Sequence, residues 1–122
     1  MSTTSEVVVG TITFNYEVTE EMVCDILTTA FADGIGEWCE GLRIVLPQMA
    51  FGDAALHVAK GGEIRLRDDE DWHSMSRDEV LYGMSRVCQD RSIDPETLHQ
   101  DHDAEMADAV VQYAIFNAIV FG

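Results

Sequence analysis

The last sixteen residues, Ala107 to Gly122, read ADAVVQYAIFNAIVFG, and this run limits the fold more than any other stretch of the chain. It is apolar on every side of a helix, so it needs cover all round, from the rest of its domain or from a second subunit. It is shorter than the ~20 residues a membrane-crossing helix needs, and Gln112 and Asn117 interrupt it. The expectation is a core helix from about Asp103 to Val120, acidic at its start, with homo-oligomerisation through it as a further option.

The elements around it follow from local patterns. In TITFNYEV, Ile12, Phe14 and Tyr16 alternate with Thr11, Thr13 and Asn15, the pattern of a half-buried strand, with Val7 to Val9 as its start and Gly10 as a bend. Thr19 reads as a helix N-cap, with Glu20 and Glu21 at the positive end of the dipole and Val23, Ile26, Leu27, Ala30 and Phe31 as an apolar stripe. That helix should stop near Asp33-Gly34, glycine being tolerant of the left-handed conformation at C′. LRIVLP, from Leu42 to Pro47, reads as a short strand, and Ala54 to Lys60 as two helical turns closed by Gly61-Gly62. EIRLR and WHSM flank the tetrad Asp68-Asp69-Glu70-Asp71, which predicts a hairpin with Ile64 and Leu66 on one face and Arg65 and Arg67 on the other. Ser76 to Glu79 is a capping box opening a helix to about Gln89, and Asp94-Pro95 starts a further turn. The fold class is therefore α+β: residues 1–5 as a tail, then one domain over 6–122, a small antiparallel sheet packed on three or four helices around the C-terminal one.

Charge narrows function. Against 23 acidic residues stand 7 arginines and lysines, and Lys60 is the sole lysine, for a formal net charge of −16. Such a surface repels phosphate backbones and anionic membranes, so direct nucleic-acid and membrane binding are disfavoured and a protein partner with a basic surface is favoured. Adaptation to high salt explains the same charge without a partner, because screening lengths fall to about 3 Å at 1 M. Cys24, Cys39 and Cys88 are odd in number and lack CxxC spacing, so the expected setting is reducing and cytoplasmic, without a disulfide framework.

Few residues carry chemistry by pattern. Cys88, His99 and His102 are zinc-ligand types, but their spacing matches no standard zinc motif, and the histidines read better as the solvated entry to the last helix. Asp68 to Glu79 has the length of a calcium loop but holds His73 where the sharp turn needs glycine. Cys39 has acidic neighbours, which favour the inert thiol over a nucleophile. Gly34-Ile35-Gly36 follows a helix instead of opening one, so it is no phosphate cradle. No cofactor and no catalytic residue is expected. The candidate binding residues are Trp38, Glu37, Glu40, Arg43, Arg65, Arg67 and the acidic tetrad Asp68, Asp69, Glu70 and Asp71. Trp38 is read as a core or edge anchor first and a stacking platform second.

Two segments, DILTTAFADGIGEWCE and ADAVVQYAIFNAIVFG, resemble an uncharacterised family of small proteins encoded by phages, prophages and related mobile elements. Ile26, Leu27, Thr29, Ala30, Gly34, Ile35, Gly36 and Trp38 match its first block. Asp108, Gln112, Tyr113, Ala114, Phe116, Val120 and Gly122 match its second. Asp33, Glu37 and Asn117 depart from it, standing where the family has glycine, tyrosine and glycine. The resemblance implies a mobile-element setting and no particular activity. The expected function is accordingly non-enzymatic binding, with inhibition of a host defence or nucleic-acid-handling protein through a carboxylate-rich surface as its form. The alternatives are a nucleotide or small-molecule binder using Trp38 with Arg43, Arg65 and Arg67, and a salt-adapted structural or oligomeric protein.

Overall fold

The computed structural model describes residues 7–10, 15–36, 38–39, 50–68 and 70–121. Their regular structure comprises helices α1 Glu20–Thr29, α2 Phe51–Ala59, α3 Arg77–Arg91, α4 Pro95–Asp101 and α5 Ala104–Phe116, and a hairpin of β1 Ile64–Arg67 with β2 Trp72–Met75. A π-helical turn, Ala30–Gly34, continues α1. The fold is α+β, as the patterning implies.

Short-range polar contacts set the helix starts. The Thr19 hydroxyl accepts from the Met22 amide at 3.2 Å, and the Ser76 amide donates to the Glu79 carboxylate at 3.0 Å. Asp94 and Asp103 accept from the Thr97 and Met106 amides at 2.7 and 2.8 Å. Each satisfies an amide that the first helical turn leaves without a partner. At Asp94 these contacts hold the carboxyl below its usual range, the Thr97 amide being the first cause. The hairpin pairs antiparallel with Ile64 opposite Met75 and Arg67 opposite Trp72, so Ile64, Leu66 and Met75 enter the core.

Helix α5 is the centre of the domain. It packs along α3 and also touches the π-turn, α1 and β2, and Ala107, Val110 and Val111 are fully buried. The cover its apolar faces need therefore comes from its own chain. Against α3 the approach is so close that a Cβ on Gly83 would lie 2.2 Å from the Val110 carbonyl oxygen. Glycine inside a helix costs about 1 kcal/mol relative to alanine, and backbone contact with α5 is what requires it here.

Three expectations change. The last helix ends at Phe116 and not near Val120, because Asn117 adopts the left-handed conformation (φ 59°) and turns the chain back. The first helix does stop at Gly34, but the only described glycine with positive φ is Gly61. Gly34 serves instead as a contact: a Cβ there would meet the Ala104 carbonyl at 2.7 Å and the Asp108 amide at 3.2 Å. Val7 to Val9 form no strand, and all three side chains are exposed. Asn15 and Tyr16 are likewise irregular and exposed. The remainder of that expected strand, residues 11–14, and the strand Leu42 to Pro47 lie outside the described residues. No helix among the described residues is long and apolar enough to cross a membrane.

Candidate functional site

Two segments far apart in the chain, the loop that carries Trp38 and the stretch from Asp108 to Phe121, meet in space. From the loop after the π-turn, the Trp38 indole N–H donates to Asp108 Oδ1 on α5 at 2.7 Å. One turn further along α5, the Gln112 side-chain amide donates to Asp108 Oδ2 and to the Phe121 carbonyl, both at 3.0 Å. Its oxygen accepts from the Val120 and Phe121 amides, both at 2.8 Å. Gln112 is 1% exposed, and both donors and both acceptor positions of its amide are used. The orientation of the amide is dictated by its partners, since the reversed group would set donors against N–H groups and the oxygen against a carbonyl and a carboxylate. The side chain thus behaves as a strand partner for the returning tail.

Aromatic rings seal this polar lock. Trp38 stacks parallel on Phe121 with centroids 5.2 Å apart and tilts against Phe116 at 5.6 Å. His73 of the hairpin meets Phe116 edge-on at 4.7 Å. Trp38 is therefore a core anchor: it is 6% exposed and one ring face is covered by Phe121, so the stacking-platform reading is not met in this conformation.

Beside the lock lies a cleft of about 630 Å³ between the π-turn, the end of α3, α5 and the tail. Among the described residues, four carboxylates border it, Asp33, Asp90, Glu105 and Asp108, against one guanidinium, Arg91. Arg91 is itself engaged, 3.2 Å from Glu105. Asp90 accepts from the Tyr113 hydroxyl, and that hydrogen bond, with burial, raises the Tyr113 pKa above its ordinary value. Tyr113 therefore remains a donor at neutral pH, with the Arg86 guanidinium 4.5 Å from its ring centroid. Val87, Ile119 and Phe121 supply apolar wall. An aliphatic stem on that wall with a cationic head among the carboxylates is the chemistry this arrangement suits.

The other residues singled out from sequence divide. Arg65 and Arg67 share the outer side of β1 as expected; Arg65 is exposed, while Arg67 is half-buried with its guanidinium 6.0 Å from the Trp72 ring centroid. Asp68 forms the hairpin turn: Oδ1 accepts from the Glu70 and Asp71 amides at 2.7 Å each, and Oδ2 from His73 Nε2 at 2.8 Å. Those two amides first, and then His73, hold its carboxyl down at about 2. Glu70 and Asp71 are exposed. Glu37, Glu40, Arg43 and Asp69 lie outside the described residues. Cys39 is buried.

The set Cys88, His99 and His102 is not brought together. Cys88 is buried on α3, where desolvation and then Asp94 push its thiol up, against the thiolate a metal needs. His102 is taken up by Thr29 Oγ1 and by the His99 carbonyl, both at 2.8 Å. His99 points at Asp25 instead, with Nε2 2.7 Å from Oδ2.

Sequence reasoning missed Asp33, Asp90, Glu105 and Asp108 as a group. One signal was present: positions 105, 108 and 112 form a polar stripe at helical spacing on an otherwise apolar helix. Compared with protein-family models, with curated proteins and with solved structures, the chain matches none.

Proposed function

We propose that this protein acts by binding and not by catalysis, and that it receives a basic side chain of a protein partner in the acid-lined cleft. The observation that carries the reading is the convergence of Asp33, Asp90, Glu105 and Asp108 around an apolar-walled cavity on a chain of net charge −16. Low-dielectric walls lined by one sign of charge concentrate the field, which speeds encounter with a cation and disfavours anions. A lysine or arginine stem fills the apolar wall while its head finds several acceptors, and arginine satisfies them with a planar fork. The resemblance to mobile-element proteins supplies the setting, and with it the partner class: a basic surface of a host defence or nucleic-acid-handling protein.

The test separates a cleft from diffuse charge. An arginine-rich peptide is titrated into the wild type, into Asp33→Asn/Asp90→Asn/Glu105→Gln, and into Glu17→Gln/Glu63→Gln/Asp101→Asn, which removes the same charge from exposed positions elsewhere. Loss of about tenfold or more in affinity is expected for the first variant, the scale of one charge-assisted hydrogen bond, with little change for the second. Equal losses in both variants refute the cleft and leave the acidity as salt adaptation.

A further inference from the structure

A different set of side chains gathers where α4 packs on α1. Glu21 and Asp25 stand one turn apart on α1 and His99 faces them from α4, and one ligand atom from each lies within 4.8 Å of the other two. Like charges at this helical spacing oppose one another, and no described lysine or arginine pairs with either carboxylate; Lys60 goes to Glu20. The crossing is also pinned beside the cluster. A carbonyl can only accept, so His102 donates from Nδ1 to the His99 oxygen, and its Nε2 lies in hydrogen-bond contact with the Thr29 hydroxyl at 2.8 Å. His102 is thereby spent on holding α4 against α1, and His99 is left with Nε2 turned to the carboxylates.

We propose that Glu21, Asp25 and His99 bind one divalent cation of the borderline class, for which Zn²⁺ is the probe. Imidazole nitrogen with two carboxylate oxygens is a set that zinc accepts, with water completing four positions, whereas Mg²⁺ and Ca²⁺ prefer oxygen donors alone. The 2.7 Å hydrogen bond between His99 and Asp25 gives way to two bonds to the metal. At zinc–ligand lengths of about 2.0–2.2 Å and tetrahedral angles the two ligand atoms stand roughly 3.3 Å apart. That small opening is open to these side chains, 23% and 52% exposed. The neutral His99 ring then carries its proton on Nδ1 and presents the Nε2 lone pair.

Calorimetric titration of the chelator-stripped, full-length protein with ZnCl₂ tests this, with far-UV circular dichroism reporting the fold of every variant. One Zn²⁺ per chain is expected, with Mg²⁺ failing to compete at the same concentration. Asp25→Asn and His99→Ala should each weaken Zn²⁺ binding by at least the roughly 10–100-fold that even an outer-shell partner contributes. Should His99→Ala not fold, His99→Gln takes its place with the same expectation. Cys88→Ser should bind Zn²⁺ as the wild type does. Absence of saturable Zn²⁺ binding, binding unchanged in the Asp25 or His99 variants, or binding lost in Cys88→Ser overturns the proposal.

Discussion

Asp68 and Asp108 are both carboxylates with several donors around them, yet they organise different kinds of structure. The donors to Asp68 come from residues two, three and five positions on, and they close one exposed turn. Asp108 draws on Trp38, seventy residues back, and on Gln112, which in turn holds the tail at Val120 and Phe121. The hairpin turn is a local solution that any chain with this tetrad could reach. The lock on α5 exists only after helix, loop and tail have met, and it shapes the wall of the cleft. The surroundings of a carboxylate, more than its presence, decide whether it solvates a turn or builds a site.

The largest effect should come from breaking the long-range side at its base. Gly83→Ala adds a Cβ against the Val110 backbone, which cannot yield as a side-chain tip would. A loss of about 3 kcal/mol is expected, the upper end for overpacking, despite alanine's helix propensity. Urea unfolding measures it; an unchanged or raised midpoint would mean that α3 and α5 do not touch through Gly83.

Gln112→Leu comes next, since it roughly keeps the volume and removes every polar contact that Gln112 makes, leaving the Trp38–Asp108 hydrogen bond in place. It leaves the Val120 and Phe121 amides, the Phe121 carbonyl and one oxygen of Asp108 without this partner, for a cost of about 2–3 kcal/mol. Hydrogen exchange should show the amides of residues 120 and 121 losing protection before the rest of α5. Uniform acceleration along the helix would instead point to global destabilisation.

The smallest effect belongs to the local side. Asp68→Ala should cost about 1 kcal/mol at neutral pH, the scale of a lost side-chain cap, with no change in tail protection. Its pH dependence has a definite sign. The folded-state pKa of about 2 lies below the ordinary 3.8, so the carboxylate stabilises the fold above pH 4, and this contribution fades as pH falls through 2. The variant should therefore lose less stability than the wild type between pH 4 and pH 2, and acid titrations of the two proteins that run parallel would exclude this role.

The same contrast explains what the sequence made legible. The caps at Thr19, Ser76 and Asp94 and the hairpin around Asp68 were readable because each donor and acceptor sits within a few residues of its partner. The burial of the C-terminal helix was readable from its apolar faces. The left-handed Asn117, the capture of the tail by Gln112 and the cleft carboxylates were not, because each depends on where distant backbone comes to rest. Gly34 shows the limit most plainly. Its position as a helix stop followed from local rules, but its contact with Ala104 and Asp108 is a property of the assembled core.

A ¹⁵N-resolved NMR titration with an arginine-rich peptide tests the central claim most directly, because Trp38 Nε1–H bonded to Asp108 is a built-in reporter on the cleft side. The account predicts saturable shifts at Asp33, Asp90, Glu105, Asp108 and the Trp38 indole, with the hairpin residues Glu70 and Asp71 nearly still. Shifts led by Glu70 and Asp71, or spread evenly over the acidic residues, would contradict it.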